Sequence, residues 1–164
     1  LRAVGGGTGG TGGTGGTGSF VAGTKVLTFA GLKNIEDLKV GDKVFSFDTE
    51  KNRMIVGTVT VERSRVNDHY YLINDRLKVT ALHPMAVMEN KAITWKKVQD
   101  LVVGDLLVTS NQQTTLLTSI ERVEVPEGIT VYNPSIDGLH NYFVLLNDLT
   151  AILVHNKIQD QAPD

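Results

Sequence analysis

The side chains that can do chemistry in this 164-residue chain centre on four histidines, since cysteine is absent. The lack of cysteine excludes disulfides, thiolate metal sites and a thiol nucleophile. Three histidines, His83, His140 and His155, stand in settings that suit proton transfer. The fourth, His69, is interpreted as a surface loop residue. The sequence therefore directs attention to general acid–base work near those three positions.

His83 closes the segment Thr80-Ala81-Leu82-His83, which follows a strand-forming run and precedes Pro84. If the strand ends near Thr80, its hydroxyl and the imidazole can both turn toward one backbone segment. An imidazole placed there can donate a hydrogen bond to a scissile amide and help it toward a tetrahedral intermediate. The alternative is a histidine that only closes a turn, and the motif taken alone favours that alternative.

The pair His155-Asn156 ends an apolar run, residues 151–154. An asparagine amide can attack its own main-chain carbonyl, which closes a succinimide and breaks the bond to the next residue, here Lys157. A fold that holds these groups near attack distance supplies roughly 7–11 kcal/mol of the barrier through orientation. His155 can polarise the carbonyl or protonate the leaving amine. Taken alone, the pair is equally compatible with a simple turn after a strand.

Ser19 follows Gly18 directly after a segment of glycine and threonine. Attack of its hydroxyl on the Gly18 carbonyl would convert the peptide into an ester, and a hydroxyl needs an activating neighbour for this. His140 follows an Asp-Gly pair that predicts a hairpin, which would bring His140 toward the last strand and Asn156. There it would be a second proton carrier; the alternative is a hairpin-loop histidine.

Other activities find little support in the composition and motifs. There is no nucleophile-elbow, zinc-protease or phosphate-binding motif, and Asp42 and Asp105 belong to turns. The histidines lack ligand spacing along one element, so we expect no metal and no cofactor. The balance of 16 Lys+Arg against 18 Asp+Glu argues against nucleic acid or membrane partners. No apolar run approaches the ~20 residues that span a bilayer.

The chain divides into a flexible Gly/Thr-rich flank (1–18), a folded domain (19–156) and a short C-terminal flank (157–164). Short runs rich in β-branched residues predict an all-β domain. Single helical turns are predicted at 34–38 and 95–101. The predicted strands are 25–29, 43–47, 55–63, 70–73, 77–80, 106–109, 118–125, 130–133, 142–145 and 150–154.

An internal repeat indicates two similar halves. Residues 35–44 align with 98–107 at an offset of 63, sharing an Asp-Leu-x-Val-Gly-Asp pattern in which a helical turn leads into a strand. The alternative is that this pattern is merely a good way to start a strand, but five identities at one offset favour duplication. Two halves around a pseudo-twofold axis leave a cleft between them.

Together these segments resemble the Hint superfamily, which includes inteins and bacterial intein-like domains. Ser19 to Thr24 is similar to the opening block, residues 77–84 to the Thr-x-x-His block, 131–144 to the penultimate block and 152–156 to the closing block. The resemblance implies a horseshoe or disc of twisted β-ribbons with both junctions in a central cleft. It also implies a single-turnover reaction rather than a multiple-turnover enzyme.

The resemblance implies the following roles. Ser19 performs an N–O acyl shift on Gly18, Thr80 and His83 activate that bond, and His140 and His155 assist cyclisation of Asn156, which cuts before Lys157. Lys157 is not a nucleophile, so we expect cleavage at one or both junctions rather than splicing. Asn133 stands where many inteins have aspartate. Ser19 is either native or replaces an opening cysteine.

Two further hypotheses stay open. One is a non-catalytic β-rich module that binds another protein. The other is a Hint domain that passes its acyl group to an external thiol, amine, sterol or water. The expected partners are the chain's own flanking segments, the expected state is a monomer, and the sequence assigns no cellular location.

Overall fold

A computed structural model describes residues 18–156; the predicted flanks therefore lie outside the described residues, apart from Gly18. Strands and two 3-10 helices, η1 (Ile35–Asp37) and η2 (Val98–Asp100), make up the regular structure, and no helix there has the length and apolar character needed to cross a bilayer. The strands are β1 (Phe20–Val21), β2 (Lys25–Thr28), β3 (Gly31–Asn34), β4 (Lys43–Asp48), β5 (Arg53–Val61), β6 (Ser64–Ile73), β7 (Leu77–Val79), β8 (Pro84–Glu89), β9 (Ala92–Lys97), β10 (Leu106–Val108), β11 (Thr114–Leu116), β12 (Ile120–Tyr132), β13 (Ser135–Ile136), β14 (Asn141–Asn147) and β15 (Thr150–His155).

The strands form two sheets, and the all-β prediction is confirmed. The larger sheet has the order β11-β10-β8-β15-β14-β2-β4-β5-β13, with β9 paired to β8 and β3 paired to β2. The smaller sheet closes on itself in the order β12-β1-β7-β6. Both the opening strand β1 and the closing strand β15 are therefore interior strands with partners on each side.

The predicted duplication is visible in the contacts of the two halves. Lys33 Nζ lies 2.7 Å from Asp42 Oδ2, and Lys96 Nζ lies 3.0 Å from Asp105 Oδ2, again at an offset of 63. Each aspartate also accepts a backbone N–H from the residue three positions before it. The same carboxylate thus fixes the same turn in both halves.

The turns that precede β2 and β8 are also equivalent. The Thr24 N–H donates to the Val21 carbonyl at 3.3 Å, and the His83 N–H donates to the Thr80 carbonyl at 3.4 Å. The carbonyl of Thr24 then accepts from the first residue of η1, as the carbonyl of His83 does from the first residue of η2. His83 therefore occupies, in the second half, the place of Thr24 in the first.

Several local predictions were wrong, for reasons of tertiary pairing. The predicted break at 126–129 is a bulge inside the long strand β12, because β6 pairs with both parts of it. Asp137-Gly138 does not join a hairpin: β13 pairs with β5, and Asp137 Oδ1 accepts the Thr58 N–H at 2.8 Å. His69 lies within β6, where its ring contacts Asp68, and not in a loop.

The interior contains two apolar clusters, the larger of which includes Phe20, Met85 and Tyr142 and lies against the turn from Thr80 to His83. A polar clip anchors β14 to β4 beside this core. Asn141 Oδ1 accepts the Phe47 N–H at 2.8 Å, and Asn141 Nδ2 donates to the Phe47 carbonyl at 2.9 Å. Strand β14, which pairs with the closing strand β15, is thereby fixed to β4 in the first half of the chain.

Asn141→Ala should lower the free energy of unfolding by about 2–6 kcal/mol. The substitution leaves two buried backbone groups of Phe47 without a partner, and each costs about 1–3 kcal/mol. Denaturant unfolding followed by circular dichroism measures the change. Asn147→Ala is the control, because Asn147 is exposed and makes one turn hydrogen bond to Leu149 N; equal losses in both variants would contradict the prediction.

Candidate active site

The N-terminal junction is held by Thr80, at the end of β7. The Ser19 N–H donates to Thr80 Oγ1 at 2.7 Å, and the Thr80 N–H donates to the Ser19 carbonyl at 2.9 Å. Both residues are 2% exposed. The nitrogen of the Gly18–Ser19 peptide is thus bound directly by the hydroxyl that the Thr-x-x-His segment supplies.

His83 is fully buried beside this junction. Neither ring nitrogen has a hydrogen-bond partner of good geometry among residues 18–156, and its ring lies 4.4 Å from that of Phe20. Burial, followed by the charge of His155, lowers the pKa of His83 to about 3, against a smaller rise caused by the Gly18 backbone. The imidazole is therefore neutral at physiological pH and offers one N–H and one lone pair.

His83 should make the fold sensitive to acid. Its pKa is lower in the folded chain than in the unfolded chain, so the folded state binds fewer protons, and stability is lost as the pH falls below the unfolded value of 6.5. Between pH 7.5 and pH 4.5 the parent should lose about 3 kcal/mol more than His83→Leu. Denaturant titrations at both pH values measure this. His69→Leu, at a position that keeps contact with solvent, should retain the parent's pH dependence; a parent no more acid-sensitive than His83→Leu would contradict the prediction.

Gly18 packs so tightly against His83 that only a glycine fits at position 18. A Cβ atom built on Gly18 would lie far closer than 3.0 Å to the Cβ, Cα and backbone N of His83. These atoms belong to the backbone or adjoin it, so they cannot move aside cheaply. The missing side chain lets the Gly18–Ser19 peptide approach the imidazole.

The C-terminal junction is built around Asn156, which is 4% exposed. Its backbone N–H donates to the His140 carbonyl at 2.7 Å. Its side-chain Nδ2 donates to the Pro134 carbonyl at 3.1 Å, and its main-chain carbonyl accepts from Asn133 Nδ2 at 3.4 Å. The side-chain nitrogen and the main-chain carbonyl of Asn156, which the predicted cyclisation would join, are therefore each held by a separate partner.

His140 precedes β14 and lies alongside Asn156. Its Nδ1 contacts the Ile136 carbonyl at 2.7 Å, and since a carbonyl can only accept, Nδ1 carries the proton and Nε2 has the lone pair of the neutral ring. His140 has φ +59°, a conformation unusual for a residue other than glycine. This backbone conformation and the Ile136 contact together fix the ring's orientation.

His155 lies beside His140 and Trp95 at the end of β15. Its ring centroid lies 6.4 Å from that of His140 and 5.0 Å from that of Trp95, and its charge is felt at His83. Trp95 packs against the smaller apolar cluster and also lies edge-on to this ring. The indole therefore forms one wall of the C-terminal junction.

Strand register brings the two junctions together. Met85 pairs with Val154, and continuing this antiparallel register by two residues places His83 beside Asn156. Phe20 pairs with Tyr132, and one further residue places Ser19 beside Asn133. All six residues predicted to react, namely Ser19, Thr80, His83, His140, His155 and Asn156, thus gather where β1, β7, β14 and β15 meet.

Sequence reasoning missed three neighbours of this centre: Asn133, Pro134 and Tyr142. Asn133 was noted only because it lacks a carboxylate. Tyr142 is fully buried, its hydroxyl has no partner within the described part of the chain, and burial raises its pKa. Of the three, only Asn133 gave a signal in the sequence, as a polar residue directly after a predicted strand.

The comparisons with known proteins show the same fold in other proteins. A bacterial intein-like domain from Clostridium thermocellum is 31% identical, over 84% of this chain and 98% of that chain, with a TM-score of 0.74. The AceL NrdHF class 3 split intein, in a splice-inactive variant, is 20% identical, over 85% of this chain and 99% of that one, with a TM-score of 0.73, and so shows likeness of fold.

Among curated proteins, Sonic hedgehog protein of Xenopus laevis is 29% identical over a 128-residue alignment, and the match covers 70% of this chain. This chain spans 29% of the length of that protein. The pretoxin HINT domain family matches residues 25–157, most of the sequence. The chain therefore belongs to the Hint superfamily, through the pretoxin HINT domain family that its sequence matches.

Proposed function

We propose that this chain is a self-processing domain, spanning residues 19–156, that breaks the peptide bonds at its own ends. The Hint fold supports self-processing in general; the assignment of the junctions and of the residues that act there is our own. The observation that carries it is the double restraint on Asn156, whose amide nitrogen is bound by Pro134 and whose carbonyl oxygen is bound by Asn133.

At the C-terminal junction, Nδ2 of Asn156 attacks its own main-chain carbonyl carbon. The C–N bond to Lys157 breaks, the Nδ2 proton is lost, and the leaving nitrogen of Lys157 gains a proton. The products are an aminosuccinimide at residue 156 and a free amine on the downstream segment. His140 accepts protons at Nε2, because its Nδ1 is committed to Ile136, and His155 delivers a proton to the leaving amine.

At the N-terminal junction, Oγ of Ser19 attacks the carbonyl carbon of Gly18. The C–N bond breaks, the hydroxyl proton passes to the released nitrogen, and the upstream segment becomes an ester on Ser19. Thr80 Oγ1 already contacts that nitrogen at 2.7 Å. The neutral His83 imidazole supplies either an N–H for the Gly18 carbonyl or a lone pair for the proton in transit.

The flanking segments are the substrates, and cleavage is the expected outcome. Ligation would need a side-chain nucleophile after Asn156, and lysine does not provide one in this reaction. Because Ser19, Thr80 and His83 are buried, an external thiol, amine or water must reach the ester through an opening of the fold. The description of the family as a pretoxin domain suggests a toxin precursor as the natural context.

Timed mass spectrometry of the purified chain tests the proposal. We expect loss of residues 157–164 and a remaining chain that is one water lighter than its hydrolysed form, the signature of a succinimide. A Ser19→Cys protein treated with thiol should separate at Gly18, since a thioester is more easily opened than an ester. A folded chain whose mass stays constant for days would contradict the proposal.

A further inference from the structure

We propose that Asn133 is a catalytic residue of the C-terminal step, and that its side-chain N–H stabilises the negative charge that forms on the carbonyl oxygen of Asn156. This inference rests on the function proposed above. It assigns the role to a residue that stands where many inteins have aspartate.

The contact joins Asn133 directly to a reacting atom. Asn133 Nδ2 lies 3.4 Å from the Asn156 main-chain oxygen, and both residues are 4% exposed. A carbonyl oxygen only accepts hydrogen bonds, so the amide must present its nitrogen there. The Asn133 N–H donates to the Arg63 carbonyl at 3.1 Å, which fixes the backbone from which the side chain projects.

Consecutive residues hold the two partners of the reaction. Asn133 binds the electrophile, the carbonyl of Asn156, and Pro134 binds the nucleophile, its Nδ2. Proline restricts the backbone at this point, because its ring fixes φ. One short, rigid segment therefore sets both the attacking nitrogen and the attacked carbonyl.

The contact should strengthen as the reaction proceeds. At 3.4 Å it is long for a hydrogen bond to a neutral carbonyl. Attack converts that oxygen into an oxyanion, and hydrogen bonds to charged acceptors are shorter and stronger. An interaction that is stronger in the transition state than in the ground state accelerates the step. One such hydrogen-bond donor in a water-excluded site raises the rate by about 10²–10³-fold.

Charge explains why an amide suits this position. A carboxylate there would face the developing oxyanion and repel it. Asn133 Oδ1 is itself buried with no partner among residues 18–156, so an ionised side chain would find no compensating donor. The titratable and charged groups on the neighbouring elements are His140 before β14, His155 at the end of β15, His83 before β8, and Arg63 and Arg65 on the segment that pairs with the end of β12.

The test compares release of residues 157–164 by the parent, Asn133→Ala and Asn133→Asp at about pH 8. We expect about 100-fold slower release from Asn133→Ala and still slower release from Asn133→Asp. The difference in rate between Asn133→Asp and the parent should become smaller as the pH falls, because the new carboxyl becomes protonated. A merely structural role gives the opposite order, because aspartate fills the volume of asparagine. If Asn133→Ala does not fold, the comparison of Asn133→Asp with the parent across pH decides.

The outcomes separate this inference from the function on which it rests. A parent chain that releases nothing overturns both. A parent that cleaves while Asn133→Ala cleaves within about threefold of it, or while Asn133→Asp exceeds Asn133→Ala at pH 8, overturns the role of Asn133 alone.

Discussion

Asn156→Ala is expected to abolish release of the downstream segment. The alanine side chain has no nitrogen to attack the carbonyl, so the only remaining route is attack by water on an ordinary amide. Orientation of the two groups in the parent is worth roughly 7–11 kcal/mol in favourable intramolecular reactions, and all of it disappears with the side chain. The measurement is the mass of the chain over several days at constant temperature.

Two controls make this result specific. Asn147→Ala, at an exposed turn, should cleave at the parent's rate. Thermal unfolding of Asn156→Ala should show an intact fold, because the backbone N–H of residue 156 can still donate to the His140 carbonyl. Continued loss of residues 157–164 from a folded Asn156→Ala chain would refute asparagine cyclisation as the cause.

Gly18→Ala should slow the N-terminal step by at least about 100-fold. The added methyl would overlap Cβ and the backbone of His83, so the junction must move away from the imidazole and from Thr80. A misplacement of about 1 Å can cost 10²-fold in rate. Thiol-induced separation at residue 18, measured in a chain that also carries Ser19→Cys, reports the effect.

The C-terminal step provides an internal reference for Gly18→Ala, because Asn156 is bound by Asn133, Pro134 and His140 rather than by Gly18. Its rate should stay near that of the parent. Ala22→Val is the matched control for added volume, since Ala22 is exposed just after β1. Equal rates of thiol cleavage in Gly18→Ala and in the Ser19→Cys parent would contradict the prediction. They would show that the turn from Thr80 to His83 moves aside to make room for the added methyl group.

The fold was predictable where local sequence and tertiary pairing agree. The shared Asp-Leu-x-Val-Gly-Asp pattern predicted both 3-10 helices and the turns after them, because the same aspartate fixes the same turn twice. The paired strands β8 and β9 were missed: Pro84 opens the first, and Trp95 to Lys97, predicted to be helical, pair with Pro84 to Ala86 instead. Strand β8 also pairs with β10 and β15, which are distant in sequence, so a local pattern does not reveal it.

The site was predictable only in part. Ser19, Thr80, His83 and the closing His-Asn pair have reactive groups and positions at strand ends, and both features are visible in the sequence. The hydrogen bond from Asn156 Nδ2 to the Pro134 carbonyl could not be predicted. Every residue has a main-chain oxygen, so the residue type at position 134 does not indicate that its carbonyl is used. The hairpin expected around Asp137 was wrong, although His140 still reaches Asn156 through the pairing of β14 with β15.

The two equivalent turns before β2 and β8 differ in how the side chain of the equivalent residue is used. In the first, Thr24 Oγ1 donates to the Val21 carbonyl at 2.7 Å and completes the turn with its own side chain. In the second, the imidazole of His83 does not close the turn: it lies beside the Gly18 backbone, and neither ring nitrogen makes a hydrogen bond of good geometry within residues 18–156. One copy closes its turn with its own side chain, while the other leaves its side chain beside Gly18, available for the reaction proposed at the Gly18–Ser19 bond.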